Sequence, residues 1–378
     1  MKNILITGGA GFIGSNLALK LITKGYKVKI LDNLSIQIHG EVPEKTSPLY
    51  NSIKDKVVFI RGSVLSKNDW VKAIEGQDAI IHLAAETGTG QSMYKIKKYI
   101  DTNVSGTALM LEALLSKKHQ IQKIILASSR AVYGEGKYLC DRHGIVYPQQ
   151  RQENNLLHGD YECKCPFCND KITLLPTSED SIISPTSIYG MSKFSQESIL
   201  QIMSHVIKVP VVIFRYQNVF GPGQSLTNPY TGILSIFSSL IKCGDTINIF
   251  EDGQESRDFV YINDVVKATI LGLEMEQANN NIFNVGSGIP YSVIYVAETL
   301  IKMYKSNTTL KISGNFRTGD IRHNFADLDL IKNKLGYKPT STFEYGIQHF
   351  VEWVNENNIS QNKFQNSINE MKNRGLLK

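Results

Sequence analysis

Three side chains in this sequence have the types and spacing of a proton-transfer site: Ser129, Tyr189 and Lys193. Tyr189 and Lys193 lie four residues apart in a helix-like run, so the phenol and the ammonium project from one face. A free phenol, with a pKa of about 10, is a poor base at neutral pH. A nearby ammonium favours the phenolate and lowers this pKa. The alternative is that Tyr189 and Lys193 form an ordinary pair on the protein surface. Ser129, at the end of a predicted strand, favours a catalytic site over this alternative.

The first two dozen residues have the pattern of a dinucleotide-binding turn. The strand-like run Lys2–Thr7 leads into Gly9, Gly11 and Gly14, which satisfy G-x-G-x-x-G and are followed by an amphipathic run. A turn without Cβ atoms lets the backbone approach a pyrophosphate, and the N–H groups of the helix N-terminus face its negative charge. Asp32 ends the next strand-like run, where a carboxylate accepts hydrogen bonds from the ribose hydroxyls. Because Asp32 would repel a 2′-phosphate, the pattern predicts NAD rather than NADP.

Strand-like and helix-like runs alternate along the first half of the chain. Such alternation predicts a parallel sheet with helices on both faces and ligands beyond the carboxyl ends of the strands. The predicted strands are Lys2–Thr7, Lys27–Leu31, Val57–Arg61, Ala79–Leu83, Lys123–Ala127 and Val209–Phe214, and the predicted helices are Ser15–Lys24, Asn68–Glu75, Asp101–Lys118 and Ser187–His205.

We expect the α/β class, with a doubly wound Rossmann domain over 1–224 and a smaller α/β substrate domain mainly over 225–378. Residues 257–285 are expected to return to the first domain, and 137–178 form a cysteine-bearing insertion. The later predictions are less regular: a loop over Arg215–Gly223, a helix near Thr231–Lys242 and a strand near Asn248–Phe250. The asparagine-rich last twenty residues are predicted to be a solvated helix or a loose tail without function.

Composition excludes several functional classes. The chain has 378 residues, of which 42% are hydrophobic and 20% charged, as in an ordinary soluble globular protein. A net charge of +6 without a long basic block suits an anionic small molecule and gives little support for nucleic acid. No apolar run reaches membrane-spanning length, and the N-terminus enters a strand directly, unlike a signal peptide. We expect a cytoplasmic protein, in which five cysteines, four of them clustered, do not form disulfides.

A wider set of motifs resembles one superfamily over nearly the whole chain, from residue 1 to about 350. The likeness is to the extended short-chain dehydrogenases/reductases and, within them, to the nucleotide-sugar epimerases and dehydratases. It implies that Ser129 and Tyr189 flank the sugar C4 hydroxyl and that Lys193 holds the nicotinamide ribose. The motifs are Thr7–Gly14, Asp32, His82–Ala85, Asn103, Ser129 with Val132–Gly134, and Tyr189 with Lys193. The implied NAD contacts are Gly8, Gly11, Phe12, Ile13, Gly14, Asp32, Asn33, Ala84, Ala85, Asn103, Tyr189 and Lys193.

Departures from the family pattern change one expected cofactor contact and narrow the choice of reaction. Ser63 stands where members often carry an aspartate that bonds the adenine amine, so this contact is expected to be weaker or absent. Arg130 and Ala131 replace the aspartate–glutamate pair with which 4,6-dehydratases expel water, so dehydration is the least favoured reaction. Epimerases that act at C3 and C5 use a cysteine–lysine pair, and the nearest cysteine here, Cys140, belongs to the insertion.

The later family motifs are expected to hold the diphosphate of a nucleotide sugar. They place Asn218, Arg257, Arg317 and Asp320 at the substrate, and two separate guanidinium groups suit phosphate oxygens. Two ordinary surface arginines are the alternative. The segments 85–92 and 224–232 resemble the dTDP-L-rhamnose 4-epimerase subgroup, whose members also carry a cysteine-bearing insertion. This likeness adds Thr87 and Gln91 as sugar contacts, although both could be turn residues bonded to their own backbone.

The insertion has the ligand spacing of a small zinc ribbon. Cys140-x-x-His143 faces Cys165-Pro-x-Cys168, and Cys163 or His158 could substitute for one of them. So short and polar a segment buries too little apolar area to fold alone, and metal ligation would supply the missing free energy. A four-ligand site is closed, so the zinc would be structural. Reduced surface cysteines on a loop are the alternative.

Three functions remain. The favoured one is an NAD-dependent nucleotide-sugar 4-epimerase that oxidises C4 of a sugar and reduces it again from the opposite face, and the subgroup resemblance implies a dTDP-linked 6-deoxyhexose as this sugar. The second is a 4-ketoreductase acting on a similar 4-keto-6-deoxy sugar, which would consume external NADH. The third is a non-catalytic dinucleotide-binding regulator. The family resemblance also implies a homodimer through the helices Asp101–Lys118 and Ser187–His205.

Overall fold

A seven-stranded parallel sheet forms the centre of the molecule in the computed structural model, which describes residues 1–226, 228, 230, 232–357 and 364–378. The strand order is β7-β6-β5-β4-β1-β2-β3, so the chain winds outward from β1 in both directions, as in a doubly wound Rossmann sheet. The predicted α/β Rossmann class is confirmed. The strands are β1 Asn3–Thr7, β2 Lys27–Asp32, β3 Val58–Arg61, β4 Ala79–His82, β5 Lys123–Ser129, β6 Val211–Tyr216 and β7 Asn281–Val285.

Both faces of this sheet are buried under helices. In β1, Ile4 and Ile6 pack on one face and Leu5 on the other, and all three are inaccessible to solvent. Runs of Ile, Val and Leu suit strands that are covered on both sides, because neither face then requires polar residues. One face carries the helices Phe12–Thr23 and Ile262–Glu274, and the other carries Lys67–Ile74, Gly106–Ser116 and Ile188–Ile207.

Smaller sheets and helices stand beside the carboxyl ends of the main strands. Ser256–Tyr261 pairs with three short strands, and Ile247–Ile249 pairs with Leu310–Ile312. The three short strands are Asn218–Phe220, Pro290–Ser292 and His323–Asn324. The helices of this region are Ile233–Cys243, Val293–Tyr304, Asp329–Leu335, Phe343–Glu356 and Phe364–Asn373. Shorter helices in the first half of the chain are Ile36–His39, Pro43–Thr46, Pro48–Ile53, Thr89–Ser92, Ile96–Tyr99 and Glu153–Leu157.

The insertion is a three-stranded antiparallel sheet in the order Gly144–Val146, Tyr138–Cys140 and Thr173–Leu174. The predicted boundaries of the insertion and of the two larger domains stay predictions. Strand β7 lies within the segment 257–285, which was expected to return to the first domain, and it pairs with β6 in the main sheet.

Two predictions about local structure were wrong. The loop predicted over Arg215–Gly223 contains the end of β6 and the strand Asn218–Phe220. The long helix predicted over Asp101–Lys118 begins as a π-helical turn, Ile100–Ser105, before the α-helix Gly106–Ser116. The helix predicted near Thr231–Lys242 is present as Ile233–Cys243, and Thr231 itself lies outside the described residues.

The end of the chain is docked rather than loose. Within the described part of the tail, Ile368, Met371 and Leu377 are buried and pack against Tyr94 and Phe250. The phenols of Tyr94 and Tyr230 both donate hydrogen bonds to a tail carboxylate, that of Glu370. The prediction of a solvated tail was wrong because these apolar residues find a partner surface far away in sequence. Among the described helices, none combines the length and apolarity needed to cross a membrane.

Candidate functional site

The glycine turn between β1 and the helix Phe12–Thr23 leaves no room for side chains. Gly8 has φ +67°, and a Cβ there would lie 2.7 Å from the backbone nitrogen of Ala84. At Gly14 a Cβ would lie 2.5 Å from the carbonyl oxygen of Gly8. The helix begins at Gly11 without a side-chain cap and without an acidic residue in its first turn, so its N–H groups are available to an anion. These features fit a dinucleotide pyrophosphate.

Asp32 lies at the carboxyl end of β2 with its carboxylate held by the backbone. One oxygen accepts from the N–H of Ala10 at 3.0 Å and the other from the N–H of Leu34 at 2.8 Å. The imidazole of His39 lies 4.0 Å away, and burial lowers the pKa of His39. Because each carboxylate oxygen can accept a further bond, the orientation suits the two hydroxyls of an adenosine ribose.

One cleft of about 570 Å³ runs from the glycine turn to the substrate region. It brings together most of the predicted site residues, in the arrangement that the sequence patterns imply. The predicted residues that line it are Gly8, Gly11, Phe12, Ile13, Gly14, Asp32, Asn33, Ala84, Ala85, Thr87, Ser129, Tyr189, Lys193, Asn218, Arg257, Arg317 and Asp320.

Two predicted contact residues do not line the cleft. Asn103 is fully buried, and its carboxamide accepts from the N–H of Glu86 and donates to the hydroxyl of Ser192. The side chain of Gln91 is buried as well, and its carbonyl oxygen accepts from Gln37 and Tyr99. Both residues bond groups in or next to the loop after β4, and their predicted ligand contacts stay predictions.

Burial dominates the electrostatics of Tyr189. It raises the pKa of the Tyr189 phenol, while the Ser129 hydroxyl and the Arg130 guanidinium lower it. Ser129 stands at the end of β5, where its hydroxyl oxygen accepts from the N–H of Ala131 at 3.1 Å. Ser187 caps the helix of Tyr189 by accepting from the N–H of Gly190 at 3.1 Å, which fixes where this helix begins.

Lys193 is held by the backbone of β5, and its predicted role at the nicotinamide ribose stays a prediction. Its ammonium donates to the carbonyl of Ala127 at 2.8 Å, and burial lowers its pKa to about 7. The cation that lowers the pKa of Tyr189 in this structure is Arg130. Burial lowers the pKa of Lys193 more than the nearby Glu197 carboxylate raises it.

Arg130 is the principal residue that the sequence patterns did not place in the site. Its Nε donates to the carboxamide oxygen of Asn218 at 3.0 Å, and the residue lines the cleft beside Tyr189. Burial lowers the pKa of Arg130 to about 9, so it remains a cation at neutral pH. The available signal was its position directly after Ser129.

The helix that carries Tyr189 and Lys193 is anchored by a buried ion pair. Glu197 accepts from the guanidinium of Arg215 at 2.7 Å, and both side chains are almost inaccessible. Arg215 also donates to the phenol of Tyr133 at 2.9 Å. This network ties the helix to β6 and so fixes the positions of Tyr189 and Lys193 relative to the sheet.

The substrate side of the cleft is built from long-range contacts. Arg257 donates to the carbonyls of Ser256, Ile321 and Arg322, which leaves only part of its guanidinium for a ligand. Arg317 has its Nε 3.3 Å from a carboxylate oxygen of Asp320 and lies over the ring of Phe250 at 4.9 Å. Arg317 is about one-third exposed, and its guanidinium is the more available of the two.

Two acidic residues on this side were also missed by the sequence patterns. Glu251 and Glu255 line the cleft near Arg257, and both lie far in sequence from the nucleotide-binding motifs. Burial raises the pKa of Glu255 to about 7, with Arg257 opposing this effect. No motif marks either residue, because their partners come from segments that become neighbours only on folding.

The insertion brings the four favoured metal ligands together. The ligand atoms of Cys140, His143, Cys165 and Cys168 all lie within 4.8 Å of one another. The two possible substitutes are elsewhere: His158 bonds the carbonyl of Asn154, and Cys163 lies against Glu135 and Tyr138.

Chemically, the cleft offers a base, a hydrogen-bond donor and a cation at one end of a dinucleotide-shaped groove. Tyr189 can take or give a proton, Ser129 can bond the same substrate oxygen, and Arg130 stabilises negative charge on the phenol. The guanidinium of Arg317 can bind an anion on the opposite side.

A family model described as the NAD dependent epimerase/dehydratase family matches residues 4–152 and 166–286. This is more than half of the chain, and the chain therefore belongs to that family. The predicted family and the predicted cofactor, NAD, are confirmed. The interval between the matched ranges, 153–165, falls inside the cysteine-bearing insertion.

Curated relatives are similar over nearly their full length. The dTDP-L-rhamnose 4-epimerase of Burkholderia thailandensis is 37% identical over 356 residues, covering 93% of this chain and 95% of that protein. A putative UDP-glucose 4-epimerase of Methanocaldococcus jannaschii is 31% identical, with 94% and 99% covered.

Two solved structures are similar in fold as well as in sequence. The UDP-glucose 4-epimerase of Thermotoga maritima, solved with UDP-glucose, has a TM-score of 0.75 and 28% identity over 94% of this chain and 99% of its own. The UDP-glucuronic acid 4-epimerase of Bacillus cereus, in complex with UDP-glucuronic acid and NAD, has a TM-score of 0.76 and 25% identity over the same shares, 94% and 99%.

Proposed function

We propose that this protein is an NAD-dependent nucleotide-sugar 4-epimerase, an isomerase, and that its substrate is a dTDP-linked 6-deoxyhexose. The observation that carries this proposal is the cleft that is lined by Ser129, Tyr189 and Lys193 together with the glycine turn and Arg317. The family supports NAD and epimerase chemistry. The thymidine nucleotide and the 6-deoxy sugar are supported by the 37% identical relative from Burkholderia thailandensis.

In the proposed reaction Tyr189 acts at the oxygen of the sugar C4 hydroxyl. As a phenolate it accepts the hydroxyl proton, while Ser129 hydrogen-bonds the same oxygen and Arg130 stabilises the negative charge of the phenolate. Bound NAD⁺ supplies the redox chemistry, since it can take the C4 hydrogen with two electrons and later return both. Once C4 is a ketone, Tyr189 holds the proton that it gives back when C4 is reduced.

Inversion requires the sugar to present its other face while the nucleotide stays bound. Arg317 and the available part of Arg257 are the groups proposed to hold the diphosphate. Asn218 and Thr87 line the same cleft and are proposed as sugar contacts. On the NAD side of the cleft, a backbone hydrogen bond holds Asp32, and the salt bridge between Glu197 and Arg215 holds the helix of Tyr189.

The proposal is tested with a panel of nucleotide sugars and no added reductant. Purified protein is incubated with dTDP-L-rhamnose, UDP-glucose and UDP-glucuronic acid, and C4 configuration is followed by proton NMR. We expect inversion at C4 of the dTDP sugar at catalytic turnover, with slower or undetectable inversion of the UDP sugars. Turnover of a 4-keto sugar only when NADH is added would instead establish a reductase and contradict the proposal.

We also propose a homodimer. The helix Ile188–Ile207 exposes Phe194, Ile202 and Val206 at 36%, 68% and 58%, and Leu115 on the helix Gly106–Ser116 is 56% exposed. Apolar side chains grouped on neighbouring helices support association through these helices. Light scattering after size exclusion should give twice the chain mass, and Ile202→Lys should give the monomer mass. A monomeric wild-type protein contradicts the proposal.

A further inference from the structure

The four grouped side chains of the insertion have the spacing of a tetrahedral metal site. The sulfur of Cys140 lies 3.7 Å from that of Cys168, and the Nδ1 of His143 lies 3.5 Å from Cys140 and 3.6 Å from Cys165. Tetrahedral zinc with Zn–S of about 2.3 Å and Zn–N of about 2.05 Å would separate sulfurs by about 3.8 Å and sulfur from nitrogen by about 3.6 Å. The sulfurs are too far apart for disulfide bonds, which need about 2.05 Å.

The backbone presents these ligands from two tight turns. Cys140 and His143 flank the turn between Tyr138–Cys140 and Gly144–Val146, where Gly144 has φ +68°. Cys165 and Cys168 lie on a second turn, closed by the N–H of Asn169 donating to the Cys165 carbonyl at 2.9 Å. Paired turns of this kind direct three thiols and one imidazole toward a common point, which is a donor set that suits zinc.

The insertion has only a small apolar cluster of its own. Its apolar cluster consists of five buried residues, and two of these are the ligands Cys140 and Cys165. The remaining members are Tyr138, Val146 and Cys163, with Cys168, Ile172 and Leu174 at the margin. A cluster of this size falls well short of the ordering entropy of the segment, so a ligated ion would supply the missing free energy.

This insertion also reaches the substrate side of the cleft. Arg151 donates to both carboxylate oxygens of Glu251 at 2.8 Å and to the carbonyl of Asp320 at 3.0 Å. Glu162 accepts from the guanidinium of Arg322 at 2.6 Å. Arg151 and Glu162 both belong to the insertion, whereas Glu251 and Asp320 line the cleft.

Arg322 connects the insertion to Arg257, one of the two arginines proposed to hold the diphosphate. Its side chain is 1% exposed and bonds Glu162, Glu251 and Asp252. Its own carbonyl accepts from the guanidinium of Arg257 at 2.8 Å. The insertion and the cleft wall are thus joined by charge-assisted hydrogen bonds, of which the Arg151–Glu251 pair is buried, and their geometry depends on the position of the insertion.

We propose that Cys140, His143, Cys165 and Cys168 bind one Zn²⁺ and that this ion holds the insertion against the diphosphate-binding wall of the cleft. Zinc loss should therefore weaken the binding of nucleoside diphosphates and spare the binding of NAD. The metal half of this inference is independent of the proposed function, whereas the half that concerns the wall rests on it.

The metal is tested first by elemental analysis of the purified full-length protein. We expect one zinc per chain in the wild type, its loss in Cys165→Ser and His143→Ala, and its retention in His158→Ala, a matched histidine of the insertion outside the cluster. Replacement by Co²⁺ should give the visible absorption of tetrahedral thiolate-bound cobalt. A wild-type protein without stoichiometric metal, or a Cys165→Ser protein that keeps it, overturns the metal site.

The wall is tested by calorimetry with dTDP and UDP as probes, with the NAD content per chain measured in parallel. Removal of zinc by a chelator should raise the Kd of the nucleoside diphosphate about tenfold and leave the NAD content unchanged. Arg151→Lys keeps all four ligands, so it should keep zinc and still lose this affinity, even if the ligand variants do not fold. Unchanged affinity after zinc loss overturns the coupling. A zinc-loaded wild type that binds neither probe would contradict the proposed function and leave the metal site standing.

Discussion

The two sides of the cleft are constructed in opposite ways. The NAD side is made by short stretches of chain: the turn from Gly8 to Gly14, and Asp32 held by two backbone N–H groups. The substrate side is made by side chains far apart in sequence, with Arg322 bonding Glu162 and Glu251 across 160 and 71 positions. One side depends on local backbone geometry, and the other depends on a buried network of charges.

This difference indicates how each side tolerates change. A glycine turn has few partners to lose, but any added Cβ collides with the backbone. A buried charge network tolerates changes of shape but not the removal of one charge, because the remaining partners stay buried and uncompensated. Tyr189, the proposed proton acceptor, lines the cleft together with residues of both sides.

The largest effect is expected at Tyr189. Tyr189→Phe removes the group that exchanges the C4 proton, and turnover should fall about 10³-fold. NAD content should be unchanged, since the glycine turn and Asp32 are untouched. Tyr295→Phe, which alters an exposed phenol bonded to Glu344, is the matched control and should keep wild-type turnover. Turnover of Tyr189→Phe within tenfold of wild type would remove Tyr189 from the mechanism.

The substrate side should lose the most stability when its central charge is removed. Arg322→Met removes a guanidinium that is 1% exposed and bonds the buried Glu251 and the more exposed Glu162 and Asp252, so the free energy of unfolding should fall by about 2 kcal/mol in denaturant titration. Lys67→Met removes a charge on the NAD side whose nearest carboxylate, Glu112, is 3.9 Å away and exposed. This control should change stability by no more than about 0.5 kcal/mol. Equal losses in the two variants would contradict the comparison.

The same difference explains what could be predicted from the sequence. The glycine turn, Asp32 and the Tyr189–Lys193 pair were predictable because each is a local pattern with a chemical reason for its spacing. Asn103 and Gln91 were placed by motif, but which groups their carboxamides bond depends on loops from elsewhere. The spacing of a motif can be read from the sequence, whereas these hydrogen bonds form only in the folded chain.

Residues of the substrate side were predictable only in part. Arg257 and Arg317 lie in motifs, whereas the roles of Glu251 and Glu255 arise from partners that no periodicity reveals. The metal cluster is an intermediate case, since ligand spacing within each turn predicted the four residues and folding brought the two turns together. The docked tail was missed because its apolar residues are few and its partner surface includes Tyr94, some 270 residues away.

Arg130 provides a test of which cation assists the phenol. Arg130→Met should raise the pKa of Tyr189 further, because the positive charge that lowers it is lost. The rise of kcat/KM with pH should then move to higher pH by the same amount, and Arg130→Lys should restore it. Tyrosinate absorbance, taken as the difference from Tyr189→Phe, reads the phenol directly. An unshifted titration in Arg130→Met would show that Arg130 does not act on Tyr189.

The smallest effect is expected from Glu255. Burial raises the pKa of this carboxyl to about 7, so it is neutral below that pH and negatively charged above it. The affinity for a nucleotide sugar should therefore fall several-fold as pH rises from 6 to 8, because the carboxylate then repels the diphosphate. Calorimetry with Glu255→Gln, which cannot ionise, should give a flat profile. The same slope in both proteins would assign the pH dependence to another group.

The central claim is that C4 is oxidised and reduced within one closed site served by Tyr189. The most direct test uses dTDP-L-rhamnose deuterated at C4 in ordinary water, with the product analysed by NMR and mass spectrometry. We expect the inverted sugar to keep its deuterium at C4, because that hydrogen never passes to solvent. An inverted product that has exchanged C4 deuterium for solvent hydrogen would contradict the claim.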